Sequence, residues 1–316
     1  MKFMYQYTTS QWIIFFFWYC FIGWIWESCY VSTRKAIQKK RWKWINRGFM
    51  NGPVLPIYGF AAIAILLATI PVKDSILHIF IWGALAATLL ELVTGSTMEQ
   101  LFHVKYWDYS NMPLNFQGHI CFFVSLFWGF LSILMVKVIH VPVETIVLQW
   151  PVMVCEILSL MLFAIFVYDF SVSLREALDM RELLEKLTES KTVIRRLENR
   201  LDALVAFTPI PDIDELREKT GNAKEKILFK LEQSRENRIA KLRRMGERLK
   251  LDELEEILDD KEEILSQIEQ QIRNIFSRTN TQYLRVTKHL KRNPGAISKK
   301  YEEALKEIKD LFEEKE

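Results

Sequence analysis

The stretch QWIIFFFWYCFIGWIWESCYV, residues 11–31, carries a single formal charge, Glu27. A helix needs ~20 mostly apolar residues to cross the hydrocarbon core of a bilayer. This stretch therefore reads as a membrane span, and its neighbours must be read around it. Four more stretches meet the same requirement: Val54–Val72, Ser75–Gly95, Gly118–His140 and Thr145–Phe170. The second is short and opens near a proline. A tight Pro-Val-Lys-Asp turn, Pro71 to Asp74, joins it to the third. The expected fold class is all-α: a polytopic membrane helix bundle of about five spans, followed by a cytoplasmic coiled-coil or helical region.

The chain of 316 residues is long enough for two domains. From Met1 to Ser173 there are 11 Lys and Arg and 8 Asp and Glu, whereas Leu174 to Glu316 holds 31 of each sign. The expected division is a transmembrane domain over 1–173 and a charged helical domain over 174–316. Cys20, Cys29, Cys121 and Cys155 all fall in apolar runs and form no CxxC pair, so they read as small hydrophobes. The first residues lack the small-residue cleavage site of a secretory signal, so the first span reads as retained.

Orientation follows from the loops. Arg34, Lys35, Lys39, Lys40, Arg41, Lys43 and Arg47 crowd the loop after the first span, while the loops near Lys73 and 137–144 are almost free of positive charge. Positive charge collects on the cytoplasmic side. The expected topology is N-out and C-in, at the cell membrane, with the 32–53 and 96–117 loops and the charged half in the cytoplasm. The tryptophans of the first span and its loop suit interfacial anchoring.

Polar residues converge on that side. Glu27 lies near the inner end of the first span. Glu91, Gly95 and Glu99 repeat at i, i+4, i+8, one stripe of the third. The first loop supplies Asn46, Arg47 and Asn51, and the second, HVKYWDYSNMPLNFQGH (103–119), supplies Asp108, Tyr109, Ser110, Asn111 and Asn115. A carboxylate at membrane depth costs ~2.5–3.5 kcal/mol on insertion scales and needs a partner, for which Arg47 is the obvious choice. Two readings stay open. These groups staple helices together, or they form a substrate site built from Glu27, Asn46, Arg47, Asn51, Glu91, Glu99, Asp108, Tyr109 and Asn115. No cofactor motif is evident, although the carboxylates could hold a divalent cation. Gly48, Gly52, Pro53 and Pro56 suggest that NRGFMNGPVLPIYG (46–59) is a short re-entrant or broken-helix element.

Five motifs in order, FIGWIWES (21–28), NRGFMNGPVLPIYG (46–59), LLELVTGSTMEQLF (89–102), YWDYSNMPLNFQGHIC (106–121) and SLFWG (125–129), resemble the bacterial family labelled "putative ABC-transporter permease, type IV", or CmpB, which has small eukaryotic transmembrane relatives. The resemblance covers about residues 10–140 and implies a permease. His119 stands where the family's Gly-Arg-Ile-Cys pattern has arginine. No Walker motif is present, so an ATPase would be a separate subunit.

The charged half has no proline or glycine from Val152 to Phe207, so the fifth span should continue as one long helix. Met180, Leu183, Leu187, Ser190, Ile194, Leu197, Leu201 and Leu204 keep a heptad seam. A second seam runs from Leu254 to Ile275. TPIPD (208–212) and RNPG (292–295) break the helices, and Ile297, Tyr301, Leu305, Ile308 and Phe312 mark a last amphipathic helix. This half is a homo-oligomeric coiled coil or an intrachain hairpin. Alternating charge signs argue against nucleic acid as a partner. Three functions fit: a permease subunit among membrane lipids, a membrane enzyme or binding protein for a lipid or lipid-linked substrate, or a coiled-coil scaffold.

Overall fold

The computed structural model describes residues 7–39, 42–205, 264, 266–267 and 280–313. Among these the protein is mostly helical. The elements are α1 (Thr9–Lys39), α2 (Pro56–Thr69), α3 (Ile76–Phe102), a two-stranded hairpin of β1 (Asn115–Phe116) and β2 (Ile120–Cys121), α4 (Phe122–Leu134), α5 (His140–Gln149), α6 (Val152–Val205), α7 (Asn280–Arg292) and α8 (Glu302–Glu313). Among the described residues four helical runs, Thr9–Ile37, Ile76–Phe102, Phe122–Gln149 and Val152–Val193, are long and apolar enough to cross a membrane. The apolar run Pro56–Val72 is shorter, about 25 Å at 1.5 Å per residue, against a core of ~30 Å.

The boundary between the fourth and fifth stretches differs from the sequence expectation, the fifth beginning at Val152 rather than Thr145. The fourth stretch does not end at His140: a π-turn over Met135–Ile139 joins α4 to α5, and the helix runs on to Gln149 before Pro151 breaks it. Pro142 accounts for the π-turn, because its ring would clash with the carbonyl four residues back, that of Val138. The long helix α6, by contrast, is as expected, and α1 continues unbroken past its apolar stretch to Lys39.

Of the 46–59 element, Pro56–Gly59 open α2, and the segment 42–55 before it contains no helix. It turns back along α1, with Ile45 N–H donating to Ser32 Oγ (2.9 Å), Arg47 N–H to Ser28 Oγ (3.1 Å) and Leu55 N–H to the Cys20 carbonyl (3.1 Å). From Ser32 to Cys20 is about 18 Å along the helix axis. Ser28 and Ser32, both fully buried, thus satisfy a backbone that no helix satisfies.

The bundle packs in sequence order, α1 on α2, α2 on α3 and α3 on α4. Ile14, Phe15, Tyr19, Ile65, Leu66 and Val147 are central to the core. Close approach rests on glycine: a β-carbon at Gly23 would overlap Cβ and Cγ of Tyr58 on α2, and one at Gly59 would overlap Cys20 Sγ. Outward-facing side chains such as Leu85, Phe130, Leu160 and Ile165 are exposed, as a lipid-facing surface requires. Gly23→Ala is expected to cost about 1–3 kcal/mol, because Tyr58 Cβ is fixed to its own backbone. Gly295→Ala, where nothing lies within 4 Å, should be nearly neutral; the melting midpoints of the two purified variants check the contrast.

Compactness divides the chain into two units, Met1–Leu184 with Asn280–Glu316, and Glu185–Thr279. In the second, α6 continues to Val205. Met180, the first position of the expected seam, is fully buried. The seam side chains from Ile194 onward and the second seam lie outside the described residues.

Candidate functional site

The polar groups of the first unit gather at the end of the bundle where α1 leaves its apolar run. Arg47 is central. Its Nε donates to Glu27 Oε2 (3.2 Å), its Nη1 to Asn293 Oδ1 (2.5 Å) and its Nη2 to the Tyr106 carbonyl (3.1 Å). Asn46 Oδ1 accepts from Trp24 Nε1 (2.6 Å), while its Nδ2 donates to the Asn51 carbonyl (2.7 Å), which closes the turn around Gly48 at φ 129°. Backbone N–H groups of Asn51 and Gly52 donate to the Asp169 carboxylate of α6 (3.2 and 2.7 Å). Glu27, Asn46, Arg47 and Asn51 therefore belong to one network.

The C-terminal strap, α7 through α8, completes it. Arg292 Nη2 lies 2.6 Å from Glu176 Oε2, 3.1 Å from the Phe49 carbonyl and 3.2 Å from His289 Nδ1, and Nη1 bonds Asn51 Oδ1. Asn293 Nδ2 donates to the Gly48 carbonyl (3.0 Å). The strap then pairs backbone to backbone with the second loop, Lys105 N–H to the Ile297 carbonyl (2.8 Å) and Ile297 N–H to the Lys105 carbonyl (2.9 Å). Its apolar residues Tyr301, Leu305 and Ile308 are buried. Arg292 is 5% exposed and Glu176 is 2% exposed, so this ion pair is shielded from water.

Glu91 lies apart from Arg47. Its carboxylate accepts from Tyr109 Oη (3.1 Å) and Trp128 Nε1 (2.9 Å), with no cation among its bonded partners in the described residues. Tyr58 Oη lies 3.5 Å from Glu27 Oε1, so an acid and a tyrosine face each other on both sides of the α1–α3 space. Burial, then the Glu91 charge and hydrogen bond, push the Tyr109 phenol well above its usual range.

The remaining predicted residues form a third group on the second loop. Glu99 Oε2 lies 3.0 Å from His119 Nε2 and 3.6 Å from Lys105 Nζ, and Asp108 Oδ1 lies 3.8 Å from the same ammonium. Lys105 thus puts a buried cation beside His119, whose own charging is opposed by burial and then by Lys105. Asp108 also accepts from Ser110 Oγ (2.7 Å), and exposed Asn115 donates to the Ser110 and Met112 carbonyls (3.2 and 2.7 Å). Both shape the turn. Gly118, at φ 74°, leaves them room: a β-carbon there would strike Asp108 and Ser110. Among the described residues no three His, Cys, Asp or Glu side chains are placed to share a metal ion.

Sequence reasoning brought Glu27, Arg47 and the two asparagines together but missed Arg292, Asn293, His289 and Glu176. RNPG read as a helix breaker. The only available signal was a pair of polar side chains placed just before a Pro-Gly break, and such a pair does not name its partners.

An apolar bundle with a re-entrant loop, closed at one end by a buried ion-paired network, defines a multi-helix membrane protein. The family model described as "Putative ABC-transporter type IV" matches residues 14–174, and the chain belongs to that family. No curated protein and no solved structure matches it. The matched region contains the re-entrant loop, Glu91, Glu99, the second loop and Asp169; Glu176 and the strap lie beyond it.

Proposed function

We propose that the protein is the membrane-embedded, permease-type component of a transporter and works with a separate ATP-hydrolysing chain. The observation that carries this reading is the re-entrant loop beside the short α2. Irregular backbone at membrane depth is tolerated where protein buries it or where it borders a wet path, and transporters build their sites at such interrupted segments. On this reading all five apolar runs cross or enter the bilayer. The basic 32–53 loop, the polar end and the strap face the cytoplasm, and lipid covers the exposed apolar side chains. Glu27, Tyr58, Tyr109 and Glu91 line the inner mouth of the path, Asn46, Arg47 and Asn51 hold its loop, and Glu99, Asp108 and Asn115 shape its rim.

The test is purification in mild detergent, with mass spectrometry of co-purifying chains and bound lipids. A stoichiometric chain with a Walker motif, whose ATP hydrolysis rises on reconstitution with this protein, is the expected result. Glu91→Gln should retain that chain and lose the stimulation. A tightly retained phospholipid with no ATPase would overturn the reading in favour of a protein that acts on lipid.

A further inference from the structure

The strap is held by a histidine that has no room for a second proton. His289, on α7, is fully buried. Among the described residues, three polar groups lie at its ring nitrogens and a fourth, Arg47, is near enough to oppose its charging. Tyr106 Oη of the second loop is 2.8 Å from Nε2, Arg292 Nη2 of its own helix is 3.2 Å from Nδ1, Glu176 Oε2 of α6 is 4.0 Å from Nδ1, and Arg47 of the first loop is the second nearby cation. The Phe49 ring packs against it at a centroid distance of 5.5 Å.

A guanidinium only donates, so Nδ1 facing Arg292 is the acceptor and Nε2 carries the hydrogen, shared with Tyr106. A proton added at Nδ1 would turn that acceptor into a donor aimed at a donor, and would set two cations 3.2 Å apart without water. Among these described groups, Glu176 is the one whose charge would favour protonation. It already bonds Arg292 at 2.6 Å and lies beyond hydrogen-bond reach of Nδ1.

We propose that α7–α8 is a proton-released latch, in which charging of His289 undocks the strap from the 46–52 loop and uncovers Arg47, Asn51 and Glu176. Burial, then Arg292 and Arg47, hold the docked histidine at about 3 rather than its ordinary 6.5. The docked form therefore binds fewer protons than the released form. Docking is at full strength above pH 6.5 and weakens as pH falls from there towards 3, roughly tenfold per pH unit, or roughly thirtyfold by pH 5.0. Release is measurable whether or not the protein transports anything.

Spin labels at Leu178→Cys on α6 and Leu284→Cys on α7, both exposed, report it after Cys29→Ser removes the one exposed native thiol. A second pair, Leu85→Cys on α3 with Phe130→Cys on α4, reports the bundle. Pulsed dipolar spectroscopy of the full chain in nanodiscs should give one narrow strap distance at pH 7.5. At pH 5.0 a broad, longer population should appear and should reverse on neutralisation, while the bundle distance stays unchanged. His289→Gln, which keeps a donor for Tyr106 and does not titrate, should hold one narrow distance at both pH values. The proposal is overturned if the wild-type strap stays narrow at pH 5.0. It is also overturned if the bundle pair broadens with it, or if His289→Gln opens as the wild type does.

Discussion

Arg292→Ala is expected to free the strap at neutral pH. Among the described residues the guanidinium is the only cation bonded to Glu176, which is 2% exposed, and His289 Nδ1, 4.0 Å away, lies beyond hydrogen-bond reach. Truncating one partner of a buried pair strands the other charge, which costs about 3–5 kcal/mol. Asn51 Oδ1 and the Phe49 carbonyl lose a donor at the same time. At 1.36 kcal/mol per tenfold change, docking should weaken by roughly two hundred- to five-thousandfold. Limited proteolysis across 280–313 in detergent should show the change as rapid cleavage of a segment that the wild type protects. The double variant Glu176→Ala with Arg292→Ala is the control. If the pair is coupled, it loses less than the two single losses added together. Strict additivity, or a protected strap in Arg292→Ala, would show that the apolar contacts of α8 hold the strap without the ion pair.

Arg47→Ala is expected to loosen both loops at once. Three nitrogens of one guanidinium reach three acceptors from three different parts of the chain, Glu27 on α1, the Tyr106 carbonyl on the second loop and Asn293 on the strap. Glu27 keeps some access to water, its side chain being 29% exposed. The loss is therefore smaller than for Arg292, about 2–3 kcal/mol, a fall in melting midpoint of about 5–10 °C. Arg47→Lys should recover less than half of it, since one ammonium cannot span three acceptors set by a planar fork. Full recovery with lysine would mean that only the charge opposite Glu27 matters.

The two variants also separate what each loop contributes. Glu27 and Arg47 could be paired by reading because both belong to motifs that flank one apolar run, and a carboxylate near membrane depth calls for a cation. Asp108 and Asn115 read as site residues from their company in a polar, aromatic loop. The structure uses them to close turns around Gly118, a short-range role that the same residue types serve equally well. Glu91 read as one member of a stripe with Glu99, yet the two carboxylates meet different partners. Glu91 takes two neutral donors and Glu99 takes Lys105 and His119. An i, i+8 spacing fixes a helix face but not what packs on that face at each level.

The amino-acid sequence by itself determined the apolar helices, the split between an apolar and a charged half, the unbroken α6 and the family. Each is a local property of the chain: how many apolar residues run together, where proline and glycine interrupt them, which short motifs occur in order. Only the tertiary structure decided that Arg292 and Asn293 return across some 245 residues to close the 46–52 loop, and that His289 is trapped between a guanidinium and a phenol. Ion pairs and hydrogen bonds depend on distance in space. The side chains that make them carry no periodicity that would point to their partners.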